Sequence, residues 1–258
     1  MNDPSRRFFL AVAMSGVAVP ALAAPSRGKR DLALDEIVAR HTEARGGRAA
    51  LDALQSQSVD IQIIEKGSVI QGHYKCAKTP AFRIDIFDGG KHVFCEGLDA
   101  NGPWIWPSSE SAAKQGVPDA KRTGIEGIEF NLYGLHAFPA LGNLLSLDGR
   151  EWLGGVDHYV LRVDLKGSYQ TFLYIDPQTW MIARRRDFRA AHPDFDPTKQ
   201  YLEKQYSDFR PVNGVQTAFL EHQVDLASGK VTQVTIIDNM VYNAKLDENV
   251  FDRSYKAG

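Results

Sequence analysis

Apolar residues change their spacing along this chain, from every third or fourth position near the start to every second one after residue 56. In "LALDEIVARHTEARGG" (32–47), Leu34, Ile37, Val38 and His41 fall on one stripe at helical spacing. Asp35 and Glu36 stand where a helix N-terminus favours negative charge, and Gly46-Gly47 is a stop signal. "RAALDAL" (48–54) predicts a second, short helix. Then Val59, Ile61 and Ile63 alternate with Asp60 and Gln62, the period of a half-buried strand, and the chain turns at Lys66-Gly67 into "SVIQGHYKCA". "FRIDIFDGGKHVFCE" repeats the device. Phe82, Ile84 and Ile86 face one way and Arg83 and Asp85 the other, around a turn whose glycines accept positive φ. "PWIWP" predicts a fifth strand.

Residues 109–147 break this alternation. "GIEGIEFNLYGLHAFPALGNLLSL" is apolar, punctuated by glycines and one proline, and predicts one or two short helices. Alternation resumes in "HYVLRVDL", "SYQTFLYID", "TWMIARRRDFR", "LEKQYSDFRPV", "VQTAFLEHQVDL" and "KVTQVTIIDNMVY". The sum is about eleven strands in an antiparallel meander, which needs a cover on one face only. The N-terminal helix and the 122–147 segment are the covers. The expected fold class is therefore α+β, mainly β: a curved antiparallel sheet, an incomplete barrel, covered by helices in a single domain over 32–258.

Curved sheets of this size enclose apolar ligand cavities. The candidate lining comprises Ile61, Ile63, Tyr74, Ile84 and Ile86 on the early strands, with Trp104 and Trp106 on the fifth. Phe130, Tyr133, Phe138, Leu141 and Leu145 load the cover, and Phe172 and Tyr174 share one face of a later strand. Gly124, Gly127, Gly134 and Gly142 read as the joints of a cover that opens.

The first residues read as an address. "SRRFFLA" resembles a twin-arginine export signal, with Ala11 in place of the usual final lysine. The apolar run that follows is interrupted by Gly16 and Pro20 and is shorter than the about 20 residues a membrane helix needs. It ends in Ala21-Leu22-Ala23, the small residues of a cleavage site. Residues 1–23 are thus expected to be a signal peptide and 24–31 a linker, leaving a soluble periplasmic protein.

Composition narrows the function. The formal net charge is −2, which offers no basic footprint for nucleic acid. Of the basic runs, "RGKR" (27–30) reads as a solvated linker and "RRR" (184–186) as a strand end. Cys76 and Cys95 have a whole strand between them, beyond the about 7 Å Cα reach of a disulfide, and are expected to be free and buried. "HPDFDP" brings His192, Asp194 and Asp196 to alternate positions, a spacing open to metal binding or acid–base chemistry. Pro193 and Pro197 favour a turn instead. His73 and His92 read as solvent-facing strand residues. No zincin, nucleophile-elbow, P-loop or dinucleotide motif occurs, so no enzyme activity, catalytic residue, metal or cofactor is expected.

Three segments carry a family resemblance: "DEIVARHTEARGGRAALDALQSQSV", "WIWP" with "WLGGVDHYVLRVDLKGSYQTFLYIDPQTWMIARRR", and "YSDFRPVNGVQTAFLEHQV…NAKLDENVFDR". In this order they resemble the bacterial outer-membrane lipoprotein-sorting family, the LolA/LolB-like periplasmic carriers. The resemblance implies an unclosed curved sheet with a helical lid over a hydrophobic cavity. Its implied ligands are lipids or lipoprotein acyl chains, and its implied partners are inner- or outer-membrane transport proteins. The chain departs from that family in its export signal and in the polar insertion "RAAHPDFDPTKQ" (189–200), which opens the way to another hydrophobic cargo. Two other readings stand beside it: an envelope-assembly module with a filled core that binds a protein partner, and a metal-dependent hydrolase using the insertion.

Overall fold

The computed structural model describes residues 32–65, 67–167 and 169–255. The signal peptide and linker expected over 1–31 lie outside the described residues. Two helices open the domain, α1 (Leu34–Ala44) and α2 (Arg48–Asp52). Six strands follow: β1 (Ser56–Glu65), β2 (Ser68–Ala77), β3 (Ala81–Asp88), β4 (Lys91–Asp99), β5 (Gly102–Pro107) and the two-residue β6 (Lys114–Gln115). Next come α3 (Pro118–Leu132), a 3-10 turn (Leu135–Ala137) and α4 (Phe138–Leu141). The chain ends in β7 (Leu144–Leu153), β8 (Val156–Leu165), β9 (Tyr169–Ile175), β10 (Ile182–His192), β11 (Asp196–Val212), β12 (Val215–Asp225) and β13 (Lys230–Tyr242).

The thirteen strands among the described residues form one antiparallel sheet in the order β6-β5-β4-β3-β2-β1-β13-β12-β11-β10-β9-β8-β7. Each strand pairs with its sequence neighbour, except that β13 returns to pair with β1. The two edges, β6 and β7, are joined in sequence by α3 and α4. The sheet is thus a curled meander left open where the helices enter.

Thirteen strands replace the expected eleven or so. The additions are β6 and β7, and β7 takes "LLSL" away from the expected helical cover. Its alternation is broken by a bulge between Leu147 and Gly149, where φ is +111°, so "LDGR" resembles a turn in sequence. The "RRR" run is no strand end either, because β10 continues to His192. The 189–200 insertion is the tip of the β10–β11 hairpin, with both strands paired up to His192 and Asp196. The "DGGK" turn is as expected: Gly89 and Gly90 both have positive φ between β3 and β4.

The helices cover the concave face over two apolar clusters. Leu51 of α2 and Ile128 and Leu132 of α3 pack on Val59, Cys76, Phe82, Phe219 and Met240. Ile37 of α1, with Leu135 and Phe138, packs on Tyr159, Leu161, Val163, Leu173 and Ile175. Gly46 ends α1 at φ +123°, with the Gly214 carbonyl oxygen where a side chain would begin. Both thiols are free and buried. Cys76 pairs in register with the core residue Phe82, and Cys95 with Asp85. Residues 82 and 85 of one strand face opposite ways, so the two thiols also lie on opposite faces of the sheet.

Candidate functional site

Between α3 and the concave face lies a cleft of about 350 Å³. The helix contributes Ala120, Thr123, Gly124, Gly127 and Phe130. Their spacing of three and four puts them on one side of α3. Gly124 brings the helix directly onto β3: a Cβ there would lie 2.2 Å from Phe82 Cε1. Gly127 has room, with its nearest neighbour, Tyr74 Oη, 4.0 Å from a Cβ. Tyr74 and Phe82 form an apolar wall opposite the helix. The glycines expected to be joints of a lid therefore serve packing at 124 and, at Gly142, the left-handed end of α4.

The other wall is charged. Arg185, Arg189 and Lys204 from β10 and β11 line it together with Glu221 from β12. Arg185 pairs with Glu126 of α3 and, at 3.1 Å, with Asp187. All three side chains are buried. The Arg185 guanidinium also sits 4.2 Å over the Phe130 ring and donates to Thr171 Oγ1 at 3.1 Å. These charges hold Asp187 below the usual carboxylate range against its burial. Arg189 reaches Asp187 at 3.5 Å and Lys204 reaches Glu221 at 2.7 Å. Burial raises Tyr206, with Glu221 adding to it.

The hairpin tip closes one end. Val117 N–H donates to Asp194 Oδ1 at 2.7 Å, tying the tip to the start of α3. Phe195 packs on Phe94 with ring centroids 5.3 Å apart. Glu96 lines the same end, and burial together with the Asp194 carboxylate pushes it up to about 7. Asp196 points elsewhere and accepts from Thr198 N–H at 2.9 Å. His192, Asp194 and Asp196 thus form a turn around the Phe195 N–H to His192 carbonyl bond and do not converge.

No family model matches the sequence, and no curated protein matches it. Solved structures do match. A putative outer membrane lipoprotein-sorting protein domain from Vibrio parahaemolyticus is 12% identical, with a TM-score of 0.55 over 84% of this chain and 95% of that one. A LolA superfamily protein from Nitrosomonas europaea is 13% identical, with a TM-score of 0.54 over 86% and 98%. The fold is LolA-like. A DUF1329 family protein from Desulfovibrio piger has a TM-score of 0.50 at 14% identity, over 85% of this chain and 97% of that one.

Within the LolA-like sheet, the residues singled out by sequence fall in several places. Tyr74 and Phe130 line the cleft. Trp104 borders it, but its register with Gly97 and Arg83 turns its indole to the other face, under the Arg83 guanidinium. Trp106 shares that outer face and donates to the Glu110 carbonyl at 2.9 Å. Ile61, Ile63, Ile84 and Ile86 stand on the concave face of β1 and β3 outside the cleft lining. Phe138 is fully buried in the second cluster, with Tyr133, Leu141 and Leu145 packed against it. Phe172 and Tyr174 alternate with the core residue Leu173 and so face outward. There Tyr174 donates to Glu151 and accepts from Arg186, both at 2.9 Å.

Sequence reasoning missed the charged wall. Its signal was present: Arg185, Asp187 and Arg189 occupy alternate positions of one strand and so share a face. The outer face holds a second charged group, Asp85, His92 and Cys95, whose donor atoms lie within 4.8 Å of one another. His92, expected to be solvent-facing, instead lies 3.0 Å from Asp85, stacks on Phe87 and leans on Trp106 at 47° with ring centroids 5.1 Å apart. Asp85 is gripped by Arg83 through bonds of 2.7 and 2.8 Å. Burial and that carboxylate raise the Cys95 thiol, so the group reads as a structural network.

Proposed function

We propose that this protein is an exported, periplasmic binding protein or carrier for a lipid-like ligand, which it holds between α3 and the concave face of its sheet. The observation that carries the reading is the cleft itself, set between the helix and the concave face of a LolA-like sheet. Its volume of about 350 Å³ is at the lower end of small-molecule sites, about 300–1,000 Å³, and suits a single-chain amphiphile. Tyr74, Phe82 and Phe130 offer apolar area to a chain, and binding would draw on area removed from water with no covalent step. Lipoprotein acyl chains are one such cargo. The apolar wall is only half of the lining, which favours a ligand with a polar end.

The test uses Nile red, an uncharged apolar fluorophore. Its emission is expected to rise on titration with the protein, and Gly127→Phe, which fills the cleft from a position with room, should abolish the rise. Mass spectrometry of protein recovered from its own envelope should show bound lipid. Unchanged Nile red binding in Gly127→Phe would place the ligand elsewhere. One dominant cross-linked protein partner in cells, with no lipid recovered, would favour the assembly-module reading instead.

A further inference from the structure

We infer that the ligand of this cleft carries a protonated amine, held at the end where Glu96, Asp194 and Phe195 form the wall. The inference rests on the apolar-ligand reading above and adds the chemical class of the head group. Charge balance within the lining carries it. Each cation of the charged wall already has an acid partner: Arg185 has Glu126 and Asp187, Arg189 has Asp187, and Lys204 has Glu221. His192 is exposed at the mouth. The Asp194 carboxylate accepts a backbone N–H, which leaves its charge in place. Glu96 has no hydrogen bond or ion pair among the described residues, and its only charged neighbour of note is the like-charged Asp194.

The end of the cleft therefore holds two carboxylates, Glu96 and Asp194, and among the described residues lacks a positive charge paired with either. An ammonium group supplies it, through charge-assisted hydrogen bonds to the carboxylates and attraction to the face of Phe195. A bare metal ion fits less well. Asp85, His92 and Cys95 on the opposite face are the one convergent group of three metal-donor side chains among the described residues. The apolar continuation of the cleft toward Tyr74 and Phe130 then takes the tail of a cationic amphiphile.

Calorimetric titration with dodecylamine and laurate below their micellar concentrations, and 1-dodecanol below its solubility limit, tests this with one tail and three head groups. At pH 8 dodecylammonium should bind at least about tenfold tighter than laurate. Glu96→Gln, which leaves the Asp194 carboxylate in place, should narrow that preference several-fold. Wild-type protein supplies a readout that needs no variant. An alkylammonium stays protonated, as lysine does up to about pH 10. Glu96 loses its proton as pH rises through about 7, so amine affinity should rise up to about tenfold from pH 6 to pH 8. The titratable groups that line the cleft with Glu96 (Asp194, His192, Arg189, Lys204, Glu221 and Tyr206, together with Arg185, Glu126 and Tyr74) are the ones that would modulate that midpoint. Laurate binding as tightly as the amine, or an amine preference that Glu96→Gln does not reduce, would overturn the inference. Binding of 1-dodecanol without charge preference would do the same while leaving the apolar-ligand reading intact. Failure of all three to bind would remove both.

Discussion

Gly124 and Gly127 lie on the same side of α3 and predict opposite responses to the same substitution. Gly124→Ala drives a methyl into the Phe82 ring, which sits in the first apolar cluster, and should cost about 1–3 kcal/mol. Gly127→Ala meets nothing closer than 4.0 Å and should add up to about 1 kcal/mol through helix propensity. Urea unfolding of the two variants checks both signs. His41 predicts a pH dependence. Burial, with the Arg45 charge adding to it, lowers its pKa to about 3, and its Nδ1–H donates to the Trp180 carbonyl at 2.7 Å. In the unfolded chain His41 takes a proton below about 6.5. Between these values the unfolded state binds more protons, so stability present at neutral pH is lost as pH falls. From pH 7 to pH 5 the loss is about 2 kcal/mol, and His41→Gln should flatten that part of the profile in urea midpoints.

At the scale of elements, α3 is fastened by contacts of two kinds. Its C-terminal half is apolar, through Ile128 and Leu132 in the core. Its middle is ionic, through Glu126 against Arg185 of β10. Removing one partner of a buried pair strands the other, so Arg185→Met should destabilise by about 3–5 kcal/mol. Arg185→Met with Glu126→Leu should recover the part of the loss that a stranded Glu126 causes, while Asp187 keeps Arg189 as its ion-pair partner, and a double-mutant cycle by denaturant unfolding measures it. Elements with clean periodicity were legible in sequence: α1, the β1–β2 and β3–β4 hairpins, and β8 to β13. β7 was not, because a bulge interrupts its alternation where pleat and turn look alike. The hairpin tip at 193–195 was legible as a turn, but its attachment to Val117 was not, since that bond joins residues 77 positions apart.

At the scale of the molecule, the opening between β6 and β7 is what makes a ligand site conceivable. A closed sheet would have its edges paired, whereas here the chain crosses between the edges as helices and leaves space beneath α3. A ligand that binds only this folded arrangement stabilises it by mass action. Dodecylamine at a hundred times its Kd should add about 2.7 kcal/mol and raise Tm by roughly 5–10 °C for a domain of this size. Differential scanning calorimetry measures the shift, and Gly127→Phe should abolish it.

The linear order of apolar and polar residues by itself determined that this chain makes a long antiparallel meander with helices on one face, because strand and helix periods are local properties of neighbouring residues. It also put Cys76 and Cys95 out of bonding reach, since one intervening strand is enough. Which face of the sheet is concave, and where the sheet stays open, was decided only by tertiary structure, through the pairing of β13 with β1 and the entry of α3 between the edges. So was the character of the cleft. Alternation places Trp104, Phe172 and Tyr174 on one side or the other of their strands, but it does not say which side faces the helices. The same blindness hid the charged wall: Arg185 reads as one basic residue in a run of three until the curled sheet brings it against Glu126.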